Sequence, residues 1–195
     1  AGTPTTFVAC AGSVVTTAYH VLALSEGDRF ITSNQGEMGF EVPAAVGCSV
    51  AVTGARTVAL VGDGSFQFNV QELNTLAHHS LDMKIVVVNN GGYASIANTQ
   101  RKYFGLVEGC TPASGLGMPV LRDVASAFGV PYAKLECAAD LRSLRSLLTS
   151  EGPLLIEVVC PPCERHPKLA STTNGDGTFS GRPLDDMDPP VRSAT

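Results

Sequence analysis

Tryptophan is absent from the 195 residues, aromatic side chains make up only 6%, and charged ones only 16%. Basic runs are missing as well: no five consecutive Lys or Arg occur, and 13 Lys+Arg against 18 Asp+Glu leave a net charge of −5. A phosphate backbone or an anionic bilayer calls for the opposite balance. Neither nucleic acid nor a membrane surface is therefore expected as a partner. Strictly apolar stretches such as 85–88 stop at four or five residues, where a membrane span needs about 20. Cysteine clusters are lacking too. The six cysteines (10, 48, 110, 137, 160 and 163) are scattered through apolar segments, which reads as mostly buried thiols of a cytoplasmic protein. What is present is enough for one core: 44% of residues are apolar, and a domain of this size buries about 70% of its unfolded surface.

Val- and Ile-rich runs alternate with segments of helical period, the βαβ pattern of a parallel sheet covered on both faces. Strands are expected at 6–10, 57–61, 84–88 and 154–159, with weaker ones at 29–32 and 132–135. Each is short and nearly all apolar, as strands buried on both faces are. Helices are expected at 14–24, 40–52, 70–79, 120–128 and 139–149, with a looser one after Tyr93. The fold class is α/β: a doubly wound, mostly parallel sheet in three α/β/α layers. Beyond residue 160 Pro, Gly, Asp, Ser and Thr dominate. Residues 1–160 are thus expected to form the domain, and 161–195 a mostly irregular tail.

The segment Leu60-Val61-Gly62-Asp63-Gly64-Ser65 runs a buried strand into a glycine-acid-glycine turn, with a helix expected to begin near Phe66. Glycine permits close approach of backbone to a ligand. The next strand ends in Asn89-Asn90-Gly91-Gly92-Tyr93. If a right-handed crossover makes these strands parallel neighbours, both turns emerge at the carboxyl edge, where open α/β sheets bind ligands. Asp63 and the Asn90 amide oxygen could then share one cation. Two hard oxygens suit Mg²⁺, which completes its octahedron with water and substrate phosphates, and a helix start beside them favours an anion. Asn174-Gly175-Asp176-Gly177 repeats the letters without a preceding strand and reads as a tail turn. Cys160, Cys163 and His166 have the spacing of a partial zinc site but lack a fourth ligand.

These two turns, separated by 24 residues (65–88), resemble the paired Gly-Asp-Gly and Asn-Asn motifs of the thiamine-diphosphate-dependent enzymes. The wider similarity, over nearly the whole chain, is to the acetolactate synthase-like decarboxylases and carboligases. It implies Asp63, Asn90 and the Gly92 carbonyl as Mg²⁺ ligands, with Gly62, Gly64, Ser65 and Tyr93 bordering the diphosphate. Asn34-Gln35-Gly36-Glu37-Met38-Gly39-Phe40 resembles the segment that holds the aminopyrimidine. There Gly36 would accept from the exocyclic amine and Met38 would support the bent cofactor. Gly12-Ser13-Val14 stands where relatives contact the terminal phosphate, often through Gly-Gln-His, so Gly12 and Ser13 would act through backbone and hydroxyl. Ile96 occupies the place where simple pyruvate decarboxylases carry a proton-managing glutamate. The resemblance thus implies carboligation rather than release of an aldehyde. The tail from Asp176 to Met187 resembles the family's C-terminus, which can close over the site.

The family's activating glutamate belongs to a pyrimidine-binding domain that this sequence does not contain. Either an N-terminal portion that carries it was removed or the enzyme is split between two chains, and the split enzyme is the favoured reading. A second chain would supply that glutamate, in paired copies with this one, and the donor would be a small 2-oxo acid such as pyruvate. No catalytic side chain is assigned to this chain alone. Two alternatives stay open: a sulfopyruvate- or phosphonopyruvate decarboxylase-like subunit, and a non-catalytic module that binds a magnesium diphosphate.

Overall fold

A computed structural model of the chain describes residues 3–162, 168–169, 171–182 and 187–188. These fall into two compact units, Ala1–Pro162 and Cys163–Thr195. The first holds six strands, β1 (Thr5–Val8), β2 (Arg29–Ile31), β3 (Arg56–Gly62), β4 (Met83–Asn89), β5 (Tyr132–Leu135) and β6 (Leu154–Val159). They form one sheet in the order β2-β1-β3-β4-β6-β5, with every pairing parallel. The connecting helices are α1 (Gly12–Val21), α2 (Glu41–Ala51), α3 (Asp63–Phe66), α4 (Glu72–His78), α5 (Ala94–Phe104), α6 (Leu121–Ala127) and α7 (Leu144–Thr149). The chain leaves β1 toward β2 and returns with β3 on the other side of β1. The order reverses there, and a reversal opens a crevice at the carboxyl ends of the two diverging strands.

Alternation along the strands divides the core between two faces. Val8, Val61, Ile85, Val87 and Leu155 pack with Val42 and Ala45 of α2, Leu73 and Leu76 of α4, and Leu121 and Ala125 of α6. On the opposite face Val58, Val86 and Ile156 meet Leu144, Leu147 and Leu148 of α7. The result is the expected three-layer α/β/α sandwich. A buried charge inside it carries its own partners: the Lys84 ammonium, 2% exposed, is held by Asp82 at 2.5 Å and by the Gly152 carbonyl at 2.6 Å.

Several expectations need correction. The helix foreseen near Phe66 begins at Asp63, because Gly62 is extended (φ −76°, ψ 153°) and ends the strand directly at the helix. The single helix expected at 70–79 is preceded by α3 and a 3₁₀ turn, Gln67–Asn69, and α4 itself starts at Glu72. That expected at 139–149 opens as the 3₁₀ turn Asp140–Ser143 before α7. Burial on both faces holds for the middle of β3 and the first part of β4 and β6, whereas β1 alternates and β2 and β5 stay partly exposed. The latter two are edge strands, and β1 is separated from the edge only by the three residues of β2. Of the described cysteines, all unbridged, only Cys10 and Cys110 are buried, Cys48 and Cys160 are half-buried, and Cys137 is exposed.

The second unit is less irregular than its composition suggests. Among its described residues, β7 (Lys168–Leu169) pairs antiparallel with β10 (Met187–Asp188), and β8 (Ser171–Thr173) with β9 (Phe179–Gly181). Asn174-Gly175-Asp176-Gly177 is the turn of the β8–β9 hairpin, closed by the Asn174 amide on the Thr178 carbonyl at 2.8 Å. Cys163, His166, Asp185 and Asp186 lie outside the described residues. No described helix is long and apolar enough to cross a membrane.

Gly47 sits inside α2, exposed, with nothing within 4 Å of the place a Cβ would take. Glycine in a helix interior costs about 0.5–1 kcal/mol relative to alanine. Gly47→Ala should therefore raise stability by that amount in urea unfolding, with an unchanged slope.

Candidate functional site

One cleft, about 220 Å³ in volume, opens at the carboxyl ends of β1, β3 and β4 and is walled by four turns. The turn after β1 brings Ala11, Gly12, Ser13 and Val14. From the connection between β2 and α2 come Gly36 and Met38, and from the β3–α3 junction come Gly62, Asp63, Gly64 and Ser65. The β4–α5 turn brings Asn90, Gly92 and Tyr93, with Ala94, Ser95 and Ile96 from α5. Every residue singled out in the sequence as a candidate for this site lines the same cleft. Ile96 is 44% exposed at its edge.

The geometry follows from the β3–β4 pairing, which sets Gly62 opposite Val88 and thereby carries the two following turns past each other. Asp63, 4% exposed, takes the Gly64 amide on Oδ1 at 2.9 Å. Its Oδ2 takes the amides of Gly91 at 2.9 Å and Gly92 at 2.8 Å. Burial pushes the Asp63 carboxyl above the ordinary carboxylate value, and the Gly64, Gly92 and Gly91 amides pull against that rise. A cation beside it would oppose the burial cost as well, since an opposite charge favours the ionised form.

Two glycines are required by contact. A Cβ on Gly64 would overlap the Tyr93 ring, which lies across its backbone. One on Gly92, whose φ is +147°, would overlap the Cys110 carbonyl. That same carbonyl accepts the Tyr93 amide at 2.9 Å and so pins the turn.

Glu41 was not foreseen as part of the site. It is fully buried at the start of α2; its Oε1 accepts the Ala11 amide at 2.9 Å and its Oε2 accepts the Ser65 hydroxyl at 2.8 Å. The Ser65 oxygen in turn accepts the Gly39 amide at 2.8 Å. Three of the four turns meet on this side chain. The Ser65 hydroxyl proton is thus directed at Glu41 rather than into the cleft. A signal was available, since a lone acid among the apolar residues of Phe40-Glu41-Val42-Pro43 must find partners if it is buried. The Gly36–Met38 segment is steadied separately: Ser33 donates to Glu37, and the Gln35 amide bonds to the Ser33 oxygen at 3.1 Å.

The donor set suits one kind of ion. Among the described residues no three His, Cys, Asp or Glu side chains gather as a metal site. The cleft instead offers one carboxylate, the Asn90 amide oxygen and the Gly92 carbonyl, which accepts the Ala94 amide at 3.1 Å and keeps a second lone pair. Asn90 Oδ1 is buried and has no hydrogen-bond partner. Buried polar atoms are nearly always satisfied, so an orphan on a residue that lines this cleft fits a ligand-binding role. Oxygen-only donors with room for water and phosphate match Mg²⁺.

A sequence model of the family described as "Thiamine pyrophosphate enzyme, C-terminal TPP binding domain" matches residues 11–158. The chain belongs to this family. It is similar to the acetolactate synthase large subunit of Cyanidium caldarium, 29% identical over 155 residues, which are 78% of this chain and 26% of that protein. The chloroplastic acetolactate synthase of Arabidopsis thaliana is 36% identical over 135 residues, covering 65% of this chain and 20% of the relative. For the acetolactate synthase isozyme 2 large subunit of Escherichia coli (strain K12) the identity is 36% over 143 residues, 72% of this chain and 26% of the relative. The matched part of this chain thus spans about a fifth to a quarter of these relatives.

Removing the buried acceptor at Glu41 leaves the Ala11 amide and the Ser65 hydroxyl without their partner, and each such orphan costs about 1–3 kcal/mol. Glu41→Ala should lower stability by roughly that range per group in chemical denaturation. Gly64→Ala should lower affinity for thiamine diphosphate in calorimetric titration, because the Tyr93 ring must leave its place.

Proposed function

We propose that this chain is the diphosphate-binding part of a thiamine-diphosphate-dependent enzyme that acts on a small 2-oxo acid, pyruvate being the expected donor, and passes the two-carbon unit to a carbonyl acceptor. The observation that carries the reading is the orphaned Asn90 oxygen, on a residue that lines one cleft with the buried Asp63 carboxylate, at the point where the strand order reverses. Asp63, Asn90 and the Gly92 carbonyl would hold Mg²⁺. Gly12 and Ser13, at the start of α1, would receive the terminal phosphate through amides that have no partner within the helix. Gly62, Gly64, Ser65 and Tyr93 would enclose the diphosphate, while Gly36 and Met38 would support the aminopyrimidine. When bound, thiamine diphosphate supplies the electron sink for decarboxylation and carbon transfer.

This chain's own contribution is binding, orientation and exclusion of water. Ile96 cannot exchange a proton, which favours transfer to a second carbonyl compound over protonation and release of an aldehyde. The names of the three relatives given above, each an acetolactate synthase, support carboligation in the same way. A cleft of about 220 Å³ is smaller than the roughly 300–1,000 Å³ that encloses a drug-sized ligand. That supports a site completed by a second chain, which would carry the pyrimidine-binding domain and its activating glutamate, in paired copies with this one. The five described cysteines, all unbridged thiols, are consistent with a cytoplasmic location.

The test is calorimetric titration of the intact protein with thiamine diphosphate, with and without Mg²⁺. Binding should require the metal, and Asp63→Ala should weaken it at least tenfold and remove the metal dependence; wild-type affinity in that variant would overturn the assignment. Native mass spectrometry from the source cells should find equal numbers of this chain and a second polypeptide, and turnover of pyruvate should need both.

A further inference from the structure

The first asparagine of the pair, Asn89, has no part in the proposed metal site, yet it is bonded at both ends. Its Nδ2 donates to Glu157 Oε1 at 2.6 Å, and its Oδ1 accepts the Gly91 amide at 3.0 Å. The same Gly91 amide is shared with Asp63 Oδ2 at 2.9 Å. Glu157 lies on β6, only 6% exposed, opposite Val87 in the β4–β6 pairing, and its other oxygen accepts the Tyr132 hydroxyl from β5. One line of hydrogen bonds therefore runs from Tyr132 through Glu157, Asn89 and Gly91 to the Asp63 carboxylate.

Asparagine's two amide ends are nearly the same shape and opposite in hydrogen-bonding sense. Turned the wrong way, Asn89 would set its NH₂ against the Gly91 N–H, donor against donor, and the turn that carries Asn90 and Gly92 would have to shift. Glu157 offers only acceptors to this end of Asn89, so it selects one orientation. The Gly91 amide is then aligned on Asp63, and the two flanking ligands, Asn90 Oδ1 and the Gly92 carbonyl, are set relative to that carboxylate. We propose that Glu157 is a positioning residue for the cation site, acting through Asn89 and without contact to the ion; this deepens, and rests on, the metal assignment proposed above. Partners that orient ligands from outside the coordination sphere typically govern metal affinity by 10–100-fold.

The experiment is Mn²⁺ binding, followed by electron paramagnetic resonance in the intact protein with thiamine diphosphate present, alongside the thermal unfolding midpoint. Glu157→Leu should raise the Mn²⁺ dissociation constant 10–100-fold. Glu157→Gln, whose amide oxygen still accepts from Asn89, should stay within about threefold of wild type. A general structural defect would instead lower the unfolding midpoint without this rescue pattern. Should Glu157→Leu fail to fold, Asn89→Asp decides, since it sets a carboxylate oxygen against Glu157 and should give the same loss of Mn²⁺. Wild-type Mn²⁺ affinity in Glu157→Leu, or in Asn89→Asp where that variant decides, overturns the proposal. No Mn²⁺ binding by the wild-type protein would instead sink the metal assignment, and this inference with it.

Discussion

Glu41 carries a carboxyl group into a place closed to water, and three turns are arranged by the need to bond it. The Ala11 amide from β1, the Ser65 hydroxyl from the β3–α3 junction and, through that hydroxyl, the Gly39 amide before α2 all converge there. Without the side chain the Ala11 amide and the Ser65 hydroxyl would be buried and unsatisfied, at about 1–3 kcal/mol each against a domain's net stability of about 5–15 kcal/mol. The walls of the cleft that come from β1, β2 and β3 are therefore coupled: none moves without breaking a bond that water cannot replace.

A second buried acid does the same on the other side. Glu157 orients the β4–α5 turn through Asn89, and Asp63 joins that turn to the β3–α3 junction by accepting two of its amides. The cleft is thus braced by three carboxyl groups, of which only Asp63 lines it. Rigidity here has a chemical use. A cation bound by few protein oxygens depends on their being in place beforehand, because Mg²⁺ tolerates little departure from octahedral geometry.

The architecture and the chemistry share one cause. Parallel pairing of β3 and β4 at a register that sets Gly62 opposite Val88 delivers a glycine-rich turn and an asparagine turn to one edge. The reversal of strand order beside β1 keeps helices from closing that edge. Glycine then allows the backbone to come close, as at Gly64 under the Tyr93 ring and at Gly92 against the Cys110 carbonyl. The membership of the chain in the C-terminal thiamine pyrophosphate-binding family agrees with a fold whose functional edge is built in this way.

Much of this was legible in the residues alone. Apolar runs and helical periodicity located the six strands of the sheet and six of its helices, but not α3 as a separate element. The two motifs with their spacing identified the turns that meet, because local composition determines local structure. What remained hidden was non-local. Glu41 and Glu157 stand in apolar segments whose pattern says only that something must bond them. Their partners lie 24 to 68 residues away along the chain, and only folding brings them together. The helix start at Asp63, the 3₁₀ turns and the antiparallel strand pairs after Val159 were likewise decided by backbone bonding and tertiary packing, to which composition is a poor guide. By itself the sequence determined which turns could hold an anion and a cation, since that depends on residue type at adjacent positions. Tertiary structure alone decided which buried acids hold those turns in place and left the Asn90 oxygen, in the cleft, without a hydrogen-bond partner, because hydrogen-bond satisfaction in a buried site is a property of the whole arrangement.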